Sequence, residues 1–148
     1  MHNIFVLLAT GCYAGTAKNA PGTVGTLVAV ILMLLTFSFG ITAKFFIFIV
    51  LFVAGIIVSE YYEKFFDEED PSEVVIDEYA SYYMVLMFVS FTFINVLLTF
   101  FLFRFFDIVK PYPIKKLEDI GGGTGIMLDD LVAALYSLGI FYLIRIFI

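Results

Sequence analysis

Histidine and cysteine are nearly missing from this chain of 148 residues. The one histidine, His2, stands at the terminus, which removes a histidine nucleophile and a His-based zinc site from consideration. The one cysteine, Cys12, cannot form an internal disulfide, and Lys18 stands where a C-x5-R thiol phosphatase needs arginine. The phosphate loop G-x-x-x-x-G-K-[ST] is absent. Met1 to Ala9 lacks a basic region, so no cleaved leader is expected. Charge is scarce and mostly of one sign, with fourteen acids against eight Lys and Arg and a net charge of −6. No nucleic-acid partner is expected.

Apolar residues fill the space left. They make up 62% of the chain, 19% is aromatic, and the mean hydropathy is +1.04, against about 45–50% apolar in a soluble domain. These values imply an integral membrane protein, read as one domain over residues 1–148. Residues 24–41, 45–58 continuing to Tyr62, and 131–148 each approach the ~20 residues that a spanning helix needs. Residues 79–103 would make one helix of about 37 Å, a single crossing, but Ser90, Thr92 and Asn95 offer a break near the middle. A broken, re-entrant hairpin would gather Lys18, Lys64, Arg104, Lys110, Lys115 and Lys116 on one face, against Lys44 and Arg145 opposite. The excess of positive charge then marks that face as cytoplasmic. The expected fold is all-α: a small polytopic membrane helical bundle of about three full spans plus a re-entrant or broken helical hairpin. Its polar segments gather on one face.

All fourteen acids lie between Glu60 and Asp130. Those from Glu60 to Glu73 read as a solvated helix end and loop, with no catalysis assigned to them. Asp77-Glu78 and Asp129-Asp130 are acid pairs, each directly before an apolar run. A helix dipole alone would favour acids there. Two such pairs on one face also suit Mg²⁺, a hard cation usually shared with substrate phosphates. The Gly121-Gly122-Gly123-Thr124-Gly125 run can wrap an anion with its amides or serve as a flexible turn, and Pro21-Gly22-Thr23-Val24-Gly25 with Thr10-Gly11 makes a second such approach.

Asp107 and Lys110 are one helical turn apart, the spacing of an i,i+3 ion pair, and Pro111 then stops the helix. Alternatively Lys110 and Arg104 neutralise phosphate charge while Asp107 binds metal or positions water. With thiol and histidine routes closed, metal-assisted attack on a phosphoryl group remains, by water or by a carboxylate. A small cation carrier with intramembrane carboxylates is the rival reading. The acids flank the apolar runs with Arg104 and Lys110 among them, which suits an anionic substrate better.

Three blocks resemble the phosphatidylglycerophosphatase A family of membrane phosphatases. They are Leu8-Ala9-Thr10-Gly11 with Ala20-Pro21-Gly22-Thr23-Val24-Gly25-Thr26-Leu27, then Val75-Ile76-Asp77-Glu78, then the stretch from Phe103 through Asp107 and Lys110-Pro111-Tyr112-Pro113 to Asp129-Asp130. The resemblance implies a Mg²⁺-dependent lipid phosphatase of a bacterial inner membrane, acting at the cytoplasmic face. Its substrate would be phosphatidylglycerophosphate, and its products phosphatidylglycerol and inorganic phosphate, a step of phospholipid biosynthesis. The positions carried over are Thr10, Pro21, Gly22, Thr23, Asp77, Glu78, Arg104, Asp107, Lys110, Pro111, Asp129 and Asp130. The roles attached to them are metal binding by Asp77, Glu78, Asp129 and Asp130, catalysis by Asp77, Asp107, Asp129 and Asp130, and phosphate binding by Thr10, Gly22, Thr23, Arg104 and Lys110. Ser81-Tyr82 and Cys12-Tyr13-Ala14-Gly15 depart from the family pattern and bear on lipid preference or pocket shape rather than on chemistry.

Overall fold

In the computed structural model, which describes residues 2–147, the described residues form helices and no strand. The helices are α1 (His2–Ala9), α2 (Pro21–Leu35), α3 (Ile41–Phe66), α4 (Ile76–Phe88), α5 (Phe93–Val109), α6 (Ile114–Glu118) and α7 (Gly122–Phe147), with a 3-10 turn at Ala14–Thr16. The all-α bundle expected from the sequence is the fold found.

Its spans differ from expectation. Two helices, α3 and α7, each of 26 residues, are long and apolar enough to cross a membrane. The first apolar run does not form a third full span, because α2 closes after 15 residues, rising only ~22 Å against a hydrocarbon core of ~30 Å. Pro21 opens that helix, where its missing N–H costs nothing. Thr36 ends it, donating through Oγ1 to Leu32 O at 2.8 Å and lying 3.0 Å from Tyr83 Oη.

Residues 79–103 form a broken hairpin and not a single crossing. Val89 is extended, Asn95 Nδ2 donates to Ser90 O at 2.9 Å, and Thr92 Oγ1 caps Asn95 N. The polar side chains thus supply partners for backbone groups that the break frees. Tyr82 Oη donates to Val96 O at 2.7 Å, and its ring stacks on Phe103 at 5.5 Å, so α5 returns antiparallel along α4. Ser81 and Tyr82, the departures from the family pattern, serve this packing: both are fully buried and neither lines the polar cavity described below. Tyr79 through Leu86 are all buried, because α2, α3, α5 and α7 pack around α4. A helix apolar on every side needs this central place.

The glycine run turns at Gly121 and is helical from Gly122 onward. Gly121 and Gly122 take positive φ, and α7 begins at Gly122. A Cβ at Gly123 would strike Ile56 O of α3, and one at Gly55 would meet the Met127 sulfur, so these glycines set the close crossing of α3 with α7. The Gly123 amide donates to Glu60 Oε2 at 2.9 Å. An internal carboxylate thus occupies the donor that the sequence reading offered to phosphate. Ile31, Leu35, Phe46, Val53, Leu143 and Ile146 are exposed on the outside of the bundle, an apolar surface suited to lipid rather than water.

Candidate active site

Five helix ends meet at one end of the bundle: the starts of α2, α4 and α7 and the ends of α3 and α5. The N-terminal block anchors the start of α4 there. Val75 N donates to Ala9 O at 2.8 Å, and Tyr79 Oη donates to Leu8 O at 2.9 Å. Val75 also packs so closely on α2 that a Cβ at Gly25 would lie 2.6 Å from its own Cβ.

A cavity of about 310 Å³ lies among these ends, lined by Gly22, Asp77, Glu78, Arg104, Asp107, Lys110, Asp129 and Asp130. Three sequence blocks far apart in the chain converge here. Carboxylate oxygens of Asp77, Glu78 and Asp130 lie within 4.8 Å of one another. Asp77 Oδ1, Glu78 Oε2 and Asp130 Oδ2 are buried without a hydrogen-bond partner among the described residues. Such a set of like charges is costly unless a positive charge joins it. An all-oxygen donor set with unused lone pairs fits a hard divalent cation.

Asp129 takes a different partner. Successive helical residues point about 100° apart at 3.6 residues per turn, so Asp130 turns to Asp77 and Glu78 while Asp129 Oδ2 meets Lys110 Nζ at 2.7 Å. Asp129 Oδ1 also accepts from Asp130 N at 2.8 Å. The two acids lie two turns inside α7, not directly before a helix as the sequence suggested. Lys110 has a second acid, Glu118, at 2.9 Å. Burial alone would lower the Lys110 pKa, yet the pairs with Asp129 and Glu118 outweigh it and hold the ammonium above its ordinary range. Lys110 therefore stays charged at any physiological pH.

The i,i+3 pair that the spacing allowed as one reading of Asp107 and Lys110 is not formed. Lys110 sits at the end of α5 in left-handed backbone, φ 44, which breaks the helical register that the spacing assumed. Asp107 pairs instead with Arg104, 2.5 Å from Nη1. The same guanidinium nitrogen lies 3.7 Å from Glu78 Oε1, tying α5 to α4.

Two expected phosphate-binding residues do not line the cavity. Thr10 Oγ1 donates to Val6 O and accepts from Tyr13 N, so it shapes the turn after α1, and Thr23 stands in the first turn of α2 beside the lining. Conversely Asp70, placed by the sequence in a solvated acidic run, lines both this cavity and a wider acidic mouth of about 650 Å³ beside it. Glu118 was also passed over. No spacing marks either residue, since the fold alone brings them to Lys110 and Asp129.

Gly22 has a steric task. A Cβ there would strike Glu78 Oε1 and lie 3.0 Å from both terminal nitrogens of Arg104. Gly22→Ala is expected to leave α2 folded, since alanine favours a helix, while displacing Glu78 and Arg104. An ångström of misplacement at a reacting site costs about 10²-fold in kcat. Phosphate release alongside a melting curve checks this, and unchanged release would show that the cavity tolerates the methyl group.

A sequence model described as phosphatidylglycerophosphatase A matches residues 7–145. A Bacteroides thetaiotaomicron protein provisionally named phosphatidylinositol-3-phosphatase is 40% identical, over 89% of this chain and 87% of its own. The phosphatidylglycerophosphatase A of Haemophilus influenzae is 35% identical over 94% of this chain and 87% of its own. That of Escherichia coli is 32% identical over 97% and 85%. No solved structure matches the chain. A match of this length, which takes in every residue of the cavity, makes the chain a member of the phosphatidylglycerophosphatase A family, and a phosphatase.

Proposed function

We propose that this protein is a Mg²⁺-dependent phosphatidylglycerophosphate phosphatase, producing phosphatidylglycerol and inorganic phosphate. The observation that carries the proposal is one cavity holding three buried carboxylates, each with an oxygen that has no hydrogen-bond partner among the described residues, beside two held cations. Asp77, Glu78 and Asp130 would hold Mg²⁺, which when bound supplies charge neutralisation and Lewis acidity to a phosphoryl group. Arg104, braced by Asp107 and Glu78, and Lys110, braced by Asp129 and Glu118, face the same space. Such fixed donors stabilise charge on phosphoryl oxygens without reorganising during transfer. Asp107 then acts as a positioning residue for Arg104. Asp129 does the same for Lys110.

The cation-carrier reading gives way, because a carrier has no use for two cations braced at its ion site. Lys18, Lys64, Lys115 and Lys116 lie toward the cavity end, whereas Lys44 caps the far turn by donating to Phe37 O. This asymmetry supports a cytoplasmic active site in a bacterial inner membrane.

The test is phosphate release by purified protein in lipid micelles from phosphatidylglycerophosphate, phosphatidic acid and phosphatidylinositol-3-phosphate, with Mg²⁺ and with chelator. Release from the first lipid, lost on chelation and restored by Mg²⁺, is expected. Release that survives chelation would remove the metal from the proposal. Release from the inositol lipid alone would move the substrate to that named for the Bacteroides relative.

A further inference from the structure

An apolar groove of about 510 Å³ runs along the outer face of α5. Leu98, Phe101, Leu102, Phe105, Ile108 and Val109 line it with Arg104. Arg104 and Ile108 line the polar cavity as well, so the two spaces share a seam. Phe101, Phe105, Ile108 and Val109 are exposed although large and apolar. On the other side of the seam stands the start of α2, with Ala20, Pro21 and Gly22 on the cavity wall. α2 packs on α4, and α5 packs on α4 and α7, but α2 and α5 are not a packed pair; they approach each other at the cavity, where Gly22 faces the Arg104 guanidinium.

We infer that one acyl chain of the phosphorylated lipid lies in this α5 groove, and that the lipid enters the cavity sideways from the bilayer between α2 and α5. The inference rests on the lipid-phosphatase reading and adds where the hydrophobic part of the substrate goes. Geometry favours it in three ways. From Leu98 to Val109 the groove descends ~16 Å along the helix axis at 1.5 Å per residue, close to the ~15 Å half-thickness of the hydrocarbon core. Its shallow end is at Val109, where α5 meets the charged cavity, so a lipid phosphate in the cavity leaves its chains pointing down the groove. Arg104, halfway along, keeps its stem beside the apolar stripe while its guanidinium reaches Glu78 and Asp107, a side chain with one end in each medium.

A second apolar groove, lined by Phe106, Leu135, Tyr136, Gly139, Ile140 and Leu143, shares no residue with the polar cavity. It serves as the internal control. Because lipid tails are as apolar as the groove, the groove gives orientation rather than affinity. Its effect should therefore depend on occupancy by a lipid whose phosphate is held in the cavity.

The experiment uses full-length protein in phosphatidylcholine nanodiscs with phosphatidylglycerophosphate that carries a photoreactive diazirine on one acyl chain. After irradiation, labelled peptides are mapped, and phosphate release is read on the same preparation. Label on residues 98–109 several-fold above that on residues 135–143, suppressed by unlabelled phosphatidylglycerophosphate and not by phosphatidylglycerol, is expected. Ile108→Trp, which fills the seam, should cut that label and raise KM for the long-chain lipid. Equal labelling of both grooves, or labelling that phosphatidylglycerol suppresses equally, means ordinary annular lipid and overturns the inference. Cross-links from the groove to a second copy of the chain would assign the face to self-association and overturn it too. If phosphate is released while the groove stays unlabelled, the groove assignment fails and the phosphatase proposal stands. Absence of release points instead to failure of the substrate assignment.

Discussion

Asp130→Asn is expected to abolish phosphate release, a loss of at least about 10²–10³-fold in kcat, the range seen when one preorganised electrostatic group is removed from an active site. Its carboxylate is 2% exposed at the residue level and faces Asp77 and Glu78 across less than 4.8 Å. Replacing it with a neutral amide removes one of three like charges and one of three oxygen anions. The variant should therefore melt no lower than the wild type in chelator, since mutual repulsion of buried carboxylates is relieved. Adding Mg²⁺ should raise the wild-type melting temperature, because a ligand that binds only the folded state stabilises it. It should raise that of Asp130→Asn far less. The opposite signs separate a ligand role from a structural one, as a purely structural residue would lose stability along with activity. Asp77→Asn is expected to behave alike, and near-wild-type turnover in both variants would sink the assignment.

Lys110→Met is expected to lower both activity and stability, and the two losses have different causes. Lys110 is paired with Asp129, whose side chain is 6% exposed, and with the more exposed Glu118. Truncating the ammonium leaves the Asp129 carboxylate buried without its cation, at a cost of about 1–3 kcal/mol for an unsatisfied buried group. Partial exposure of Lys110 argues for the lower part of that range. Activity should fall by about 10²-fold through loss of a fixed positive charge facing the phosphoryl group. Adding Asp129→Asn to Lys110→Met should restore the melting temperature and leave turnover low, a coupling that a double-mutant cycle measures directly. Recovery of turnover in the double variant would show that Lys110 serves only to balance Asp129. The lysine's own part of this contribution is insensitive to pH in the working range. A lysine with a raised folded pKa contributes fully below its unfolded value, about 10.4, and loses that contribution only as pH rises through the folded one.

Much of this site was legible before any coordinates. The acid pairs Asp77-Glu78 and Asp129-Asp130, together with Arg104, Asp107, Lys110 and Gly22, line one cavity as the sequence blocks suggested. The break at Ser90, Thr92 and Asn95 was legible for a local reason, since short polar side chains can satisfy the backbone that a broken helix exposes. The acidic run near Asp70 was misleading because charge runs are usually solvated, and nothing local distinguishes the one member that folds back over the cavity.

The sequence by itself determined what is set by composition and by neighbours along the chain: helices rather than strands, apolar runs fit for lipid, the place of the hairpin turn and the family. Only the tertiary structure decided which charges meet across helices. Asp107 pairs with Arg104 because both are helical residues one turn apart, whereas the left-handed turn at Lys110 carries its ammonium off that face toward α7. Asp129 and Asp130 divide their partners because a helix turns about 100° between neighbours. The partners that Lys110, Asp129 and Asp130 find depend on where α4, α5 and α7 lie against one another, and spacing along the chain carries no measure of that.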